Sequence, residues 1–267
     1  MNLMIKTTTL TPNSTFQSNL NRLLSTLSSN ATRPSGFYNG TASSSSPNDT
    51  VYGLFLCRGD VAATDACKTC VSTATSEAVQ LCPIEKQVVI WYDDCMLRYS
   101  NESFFSTAAE SPGLFMWNTQ NATERTRFNQ VLATGMNDVA TEAANDADKF
   151  ATSQANFSAL VSVYSLGQCT QDLSAADCNG CLRGAIAQFP TCCNGKLGAR
   201  VLYPSCTVRY EVYPFYRQNS TSAPQPSTGP LPPSPPPPPA PKGLTIMERN
   251  EGVGVDGSVV ERLMQSK

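Results

Sequence analysis

Cys67, Cys70, Cys82 and Cys95 are each followed 111 residues later by another cysteine, at Cys178, Cys181, Cys193 and Cys206, and Cys57 is followed by Cys169 at 112. Chance does not align five cysteines. Neighbouring residues keep the same step: Val51-Tyr52-Gly53-Leu54 meets Val163-Tyr164-Ser165-Leu166, Phe16 meets Phe128, Leu20 meets Leu132, and Arg98-Tyr99 meets Arg209-Tyr210. The chain is a tandem duplication, 1–108 and 109–218, and its fold must be one that two sibling units of about 105 residues can each form. A length of 267 residues suits two small domains and a tail.

Each copy reads in the same order. Phe16, Leu20, Leu23, Leu24 and Leu27 stand three and four apart behind the turn-like Thr11-Pro12-Asn13-Ser14, as on an amphipathic helix. In the second copy Phe128, Val131, Leu132, Met136 and Val139 do the same. A strand is expected over 51–56, then a helix over 63–79 that carries Cys67-x2-Cys70. The stretch 87–100, rich in Val, Ile, Trp and Tyr and broken by Asp93-Asp94, predicts a β-hairpin, repeated at 199–213 with a turn near Pro204. The fold class that follows is α+β: in each unit a small antiparallel sheet covered by two helices, because each helix must bury one stripe on a sheet face. After Tyr216 the composition changes, and 11 of the 18 residues in 224–241 are proline. Such a segment runs as a polyproline II stalk of roughly 3 Å per residue and cannot form a core. The rest of the tail, to 267, shows no periodicity and is expected to be without structure.

Charge and composition exclude several functions. With 19 Lys+Arg against 21 Asp+Glu and no basic cluster, the chain lacks the field that draws phosphate backbones, so nucleic acid is not an expected partner. The chain has no histidine, which removes Ser-His-Asp and Cys-His catalysis and His-containing zinc sites. Neither a His-Arg-Asp nor an Asp-Phe-Gly motif occurs, and Gly252-Val253-Gly254 opens no nucleotide loop, so the chain is read as carrying no kinase and no enzymatic activity. No stretch reaches the ~18 apolar residues of a membrane span. Asp93 and Asp94 could be imagined as paired carboxylates, but adjacent strand residues point to opposite faces and a hairpin turn accounts for both.

Eight Asn-x-Ser/Thr sequons, at Asn13, Asn30, Asn39, Asn48, Asn101, Asn121, Asn156 and Asn219, exceed the roughly three expected from composition. Each is a glycosylation acceptor if the chain is secreted. Residues 1–11 offer one basic residue, Lys6, and no apolar run of signal length, so a leader is expected upstream of the given start. The 11 cysteines admit three readings. A four-thiolate zinc site built on the Cys-x2-Cys pairs is one, but it belongs to reducing compartments; a thioredoxin-like redox pair is another, but it lacks a βαβ context. Structural disulfides, each adding roughly 2–4 kcal/mol, are the third and fit the sequons.

The spacing has a known counterpart. Cys169-x8-Cys178-x2-Cys181, preceded by Val163-Tyr164-Ser165-Leu166 and followed by Cys192-Cys193 and Cys206-Thr207-Val208-Arg209-Tyr210-Glu211, resembles the ginkbilobin-type cysteine-rich domain of plants. So does the first copy, with Cys57-Arg58-Gly59-Asp60 and Trp91-Tyr92-Asp93-Asp94-Cys95-Met96-Leu97-Arg98-Tyr99. Paired copies of this domain form the ectodomains of plant cysteine-rich receptor-like kinases and cysteine-rich repeat secretory proteins, and the resemblance spans about residues 12–217. It implies an extracellular, apoplastic recognition module, at the plasma-membrane surface in a full-length receptor, with roles in stress or defence. A secreted mannose-binding antifungal protein is the alternative. The ligands it implies are a mannose-type carbohydrate or an apoplastic protein, with receptor partners on the domain surfaces.

The family's bridges join its second and third cysteines, its fourth and sixth, and its first and fifth. Carried over, this implies Cys57–Cys67, Cys70–Cys95, Cys169–Cys178 and Cys181–Cys206. The first copy departs in its Cys-x9-Cys spacing and in lacking the family's first cysteine, which leaves Cys82 unpaired; a truncated or alternative first exon would explain that loss and the absent leader together. In the second copy the adjacent Cys192 and Cys193 would form a vicinal disulfide or remain as two thiols. The family's sugar site uses an Asn near the first strand, an Arg on the hairpin and a Glu beyond the last cysteine. Arg200 and Glu211 match the last two, and no asparagine is matched to the first. A cross-strand surface ion pair is the plainer reading of Arg200 and Glu211. Val89 and Ser100 stand at their places in the first copy, which is therefore not expected to bind sugar this way. The aromatics Trp91, Tyr92, Phe104, Phe105, Phe115 and Trp117 are expected in core or inter-domain packing.

Overall fold

The computed structural model describes residues 2–9, 14–44, 47–217, 244–249 and 259–263. The first copy runs β1 (Asn2–Thr9), α1 (Thr15–Ser29), β2 (Phe37–Ala42), β3 (Val51–Cys57), α2 (Asp65–Leu81), β4 (Glu85–Trp91) and β5 (Cys95–Ser100). The second repeats it as β6 (Gly113–Asn118), α3 (Arg125–Asn145), β7 (Phe150–Asn156), β8 (Ser162–Cys169), α4 (Ala175–Ile186), a short α5 (Phe189–Cys192), β9 (Gly198–Leu202) and β10 (Cys206–Glu211). The strands are antiparallel throughout, in the orders β1-β4-β5-β3-β2 and β6-β9-β10-β8-β7.

Local chemistry sets the helices. Ser14 accepts a hydrogen bond from the Gln17 amide at 3.3 Å and opens α1, whose Phe16, Leu20, Leu23, Leu24 and Leu27 form the buried stripe. Ser174 caps α4 in the same way, accepting from Asp177 N at 3.1 Å, and the Asp177 carboxylate suits the positive end of the helix.

Period-two alternation along the strands divides their side chains between two layers. Inward residues such as Phe55, Ile90, Leu97 and Tyr99 meet α1 and α2 in one core, while Val201, Val208 and Tyr210 meet α3 and α4 in the other. The alternate residues do not face water. Leu54, Leu56, Val89, Trp91 and Met96 of the first sheet pack on Leu114, Met116 and Leu202 of the second, with Phe104 from the connection. The layers are therefore helix, sheet, sheet, helix. Trp91, Phe104 and Phe105 belong to the seam between copies, whereas Tyr92 packs on the first core and Phe115 and Trp117 on the second.

The cysteines tie helix to sheet. Cys57, the last residue of β3, and Cys95, the first of β5, are direct cross-strand partners. They join Cys67 and Cys70, which share one face of α2 at i and i+3, with Cα–Cα distances of 5.6 and 6.0 Å. Cys169–Cys178 and Cys181–Cys206 repeat the arrangement at 5.7 and 6.1 Å. Cys192 is joined to Cys193. Cys82 stays a free thiol, 1% exposed at the end of α2. With the Cys-x2-Cys sulfurs engaged in these bonds, they offer no thiolate set for zinc.

Several strands were not legible beforehand. The outermost strands β2 and β7 mix polar and apolar residues on both faces, and β1 is threonine-rich. The end of the tail, 242–267, is expected from its lack of periodicity to be without structure, yet two short pieces of it are strands: β11 (Leu244–Arg249) pairs with β6, and β12 (Val259–Leu263) pairs with β1. An outer strand such as β1 or β6 presents a row of backbone groups that an added strand satisfies, whatever the tail's own periodicity. The proline-rich stalk lies outside the described residues.

Two outcomes follow. Intact mass with alkylation should find one reactive thiol, seen only after denaturation without reductant; several accessible thiols would contradict the bridging. Replacing both Cys181 and Cys206 by alanine should cost about 2–4 kcal/mol in guanidinium unfolding, because the 25-residue link no longer restrains the unfolded chain.

Candidate ligand site between the two copies

Arg200 on β9 and Arg209 and Glu211 on β10 project from the sheet face that meets the other copy. Arg200 and Arg209 are cross-strand partners, and Arg209 and Glu211 stand two apart on the same face. Glu211 is 6% exposed. Its Oε1 accepts from Arg209 Nε at 3.1 Å and Nη2 at 3.0 Å, and its Oε2 accepts from Asn118 Nδ2 at 3.2 Å. Gly198 lies opposite Glu211 in the ladder, and a Cβ there would overlap both the Glu211 carboxylate and the Asn118 amide. The niche therefore exists only because residue 198 has no side chain. Arg209 is further held by Tyr213 Oη at 3.3 Å and by the Phe215 ring at 4.3 Å.

Arg200 has a partner that the sequence did not suggest. Its Nη1 donates to Asp93 Oδ1 at 2.9 Å, across the seam to the first copy's hairpin turn. The surface pair expected between Arg200 and Glu211 is replaced by two buried-end pairs, Arg200–Asp93 and Arg209–Glu211. Arg58 completes the turn: it donates to both Asp60 oxygens, with Nη2–Oδ2 at 2.9 Å, and to the Asp93 carbonyl at 2.8 Å. Gln168 Nε2 reaches the Cys57 carbonyl at 2.9 Å and Gln171 Nε2 the Ser35 carbonyl at 2.8 Å, again between copies.

Burial pushes the Glu211 carboxyl above its usual range, against the pull of Arg209 and Asn118. At Asp93 burial acts the same way but the charge and hydrogen bond of Arg200 outweigh it, so that carboxyl lies below its usual range. Desolvation lowers Arg200, with Asp93 opposing. Behind these pairs a cavity of about 70 Å³ lies between the sheets, lined by Trp91, Met96, Leu166, Gln168, Leu202 and Arg209 among others. Trp91 is 4% exposed, and its indole N–H has no hydrogen-bond partner among the described residues. Carboxylate, guanidinium and amide groups so placed are the donors and acceptors that a polyhydroxylated molecule needs.

Asn118 is the residue that sequence reading missed. It ends β6, the first strand of the second copy, and that strand was not recognised although the apolar run Leu114 to Trp117 stands 111 residues after β1. The sequons fall at exposed Asn48, Asn121 and Asn156 and half-buried Asn30, Asn39 and Asn101. Asn30 and Asn101 already use their amides, bonding Thr26 O and Gln87 Nε2 respectively. Asn13 and Asn219 lie outside the described residues.

A family model described as salt stress response/antifungal matches this chain twice, over residues 4–102 and 116–213. The chain belongs to that family. Among curated relatives, cysteine-rich receptor-like protein kinase 25 of Arabidopsis thaliana is 48% identical over 221 residues, 82% of this chain and 33% of the relative. An antimicrobial ginkbilobin-2-like protein of Castanea crenata is 42% identical over 206 residues, 77% of this chain and 83% of the relative. The chain spans about a third of the length of receptor-like protein kinase 25 and of two other Arabidopsis thaliana kinase relatives, the cysteine-rich receptor-like protein kinases 20 and 10. Its fold is that of the tandem DUF26 ectodomains of two Arabidopsis thaliana cysteine-rich receptor-like proteins. The PDLP8 ectodomain has a TM-score of 0.68 at 23% identity, covering 78% of this chain and 96% of that one. The PDLP5 ectodomain has a TM-score of 0.63 at 27% identity, covering 78% and 98%. Among the described residues no helix is long and apolar enough to cross a membrane.

Asp93→Asn should cost on the order of 1 kcal/mol or less at pH 7, since Asp93 is half-exposed. Because the folded carboxyl lies below the unfolded value of about 3.9, this stabilisation is present above that pH and disappears as pH falls through the folded value. Denaturant unfolding of wild type and variant should therefore converge in acid; an undiminished gap there would show that the loss is not electrostatic.

Proposed function

We propose that the chain is a non-enzymatic extracellular recognition module, the ligand-binding part of a protein of the cysteine-rich receptor-like kinase type, working in stress or defence signalling. Its units are 1–108 and 109–218. The observation that carries this reading is the constellation of Asn118, Arg200, Arg209 and Glu211 at the seam of a duplicated, disulfide-tied fold, an arrangement suited to holding a ligand. A kinase relative 48% identical over the same region supports the receptor setting. Disulfides persist in oxidising compartments, which supports an apoplastic location, and exposed Asn48, Asn121 and Asn156 are the best placed of the sequons to carry glycans.

The ligand class we assign is a mannose-type carbohydrate. Glu211 accepts from vicinal hydroxyls while Asn118 and the guanidinium of Arg200 donate to ring and hydroxyl oxygens. To use Arg200 fully, the sugar must displace Asp93. A second reading, a secreted mannose-binding antimicrobial protein, is favoured by the same residues together with the 42% identity to the Castanea crenata protein. An apoplastic protein bound on the domain surfaces is the class that would stand if no sugar binds.

Titration calorimetry with D-mannose should give a saturable heat. Glu211→Gln should weaken it about tenfold or more, the worth of hydrogen bonds to a charged group. Gly198→Ala should abolish it by driving the Glu211 carboxylate out of its niche. Absence of heat with mannose and with an array of mannose-containing glycans would remove the carbohydrate assignment. Inhibition of hyphal growth by the purified chain would decide for the antimicrobial reading over the receptor one.

A further inference from the structure

The second copy neutralises Arg209 with its own Glu211, two residues further along β10, and caps the guanidinium with Phe215. The first copy keeps half of this arrangement. Arg98, the counterpart of Arg209 on β5, lies over the Phe104 ring at 3.9 Å. Two residues further along stands Ser100, whose hydroxyl already accepts from the Glu102 amide at 2.9 Å. Among the described residues Arg98 donates no hydrogen bond and meets no carboxylate at ion-pair distance. Asp172 of the second copy acts on it through its charge alone: its Oδ2 accepts from the Ser106 amide at 2.7 Å, and its buried Oδ1 has no hydrogen-bond partner among the described residues. The guanidinium is half-buried, and desolvation pulls it down to about 10, still fully cationic at neutral pH. A partly desolvated guanidinium with no carboxylate at ion-pair distance is one that an added anion beside it would stabilise.

That place is a cavity of about 130 Å³, separate from the mannose niche, lined by Gln87, Val89, Arg98, Ser100, Ser111 and Pro112 among others. It is roomy enough for several waters and hence for a carboxylate with a short polar body. Gln87 and the two serines add neutral polar groups to the lining, and Val89, where the duplicate has Arg200, supplies no second charge. We propose that this cavity is a second ligand site, which takes the carboxylate of a small molecule. The ligand supplies to Arg98 the group that Glu211 supplies to Arg209. The planar, bidentate fork of arginine suits a carboxylate better than a spherical anion. This inference does not depend on the mannose assignment, because it uses none of the same residues.

The test uses the whole chain at fixed ionic strength. Sodium glucuronate and sodium acetate should each produce saturable heat and shift the Arg98 Nε–Hε resonance in proton–nitrogen NMR, while glucose should do neither. Arg98→Gln should weaken glucuronate binding more than about tenfold. Ser100→Glu, which installs in the chain the carboxylate found in the duplicate, should block binding to a similar extent while leaving the near-ultraviolet circular dichroism of the fold intact. If Arg98→Gln does not fold, the resonance shift in wild type and the Ser100→Glu result decide. Equal responses to glucose and glucuronate, displacement by equimolar chloride, or unchanged affinity in Ser100→Glu would each overturn the proposal.

Discussion

In each copy one helix is bolted to two neighbouring strands, and the remaining features of the fold follow from that clamp. The bolting works because two periodicities coincide. Cysteines three apart share a helix face, and cysteines directly opposite in an antiparallel ladder lie side by side, so two short bridges connect them without distortion of either element. Once α2 and α4 are fixed across their sheets, one face of each sheet is spent on its own helices, and the other face is left for the second copy.

That other face is apolar in its middle and polar towards its ends. Leu54, Leu56, Trp91 and Met96 meet Leu114, Met116 and Leu202 in the middle, each burial worth roughly 1.5–3 kcal/mol. At one end of the seam the arginines of the second sheet meet the hairpin turn of the first, and at the other Arg98 faces the connection between the copies. Both candidate sites are thus by-products of sheet-on-sheet packing between units that have stopped being identical. A symmetric pair would carry the same residues twice; here Arg200 and Glu211 have become, or have arisen from, Val89 and Ser100, and the two arginines that remain in common meet different surroundings.

Divergence also reaches the sulfurs. Cys82 and Cys193 occupy equivalent places at helix ends, but Cys193 is bonded to its neighbour Cys192, whereas Cys82 is buried and free. Neither arrangement touches the seam. The paired bridges that hold the helices are common to both copies, and the free Cys82 thiol lies within the first copy's core beside them.

The duplication, the helices α1 to α4 and the central hairpins were legible in the residues themselves, because cysteine spacing and the 3.6- and 2-residue periods are local facts, whereas the pairing of the cysteines came only from the resemblance to the ginkbilobin-type domain. Arg200 and Glu211 were singled out only through the resemblance, by matching the family's Arg and Glu positions around Cys206. What tertiary structure alone decided is everything that depends on which face meets which. Asp93, an ordinary turn residue in sequence, becomes the partner of Arg200 because the seam brings it within 2.9 Å. Asn118 joins Glu211 only when β6 is seen to flank β9. Arg98 looks in sequence like a repeat of Arg209, and only the lack of a carboxylate at ion-pair distance makes it different. Outer strands such as β2, β7 and the tail pieces were hidden for the same reason: they are held by the backbone groups of a neighbour, and hydrogen bonds of that kind leave no pattern in side chains.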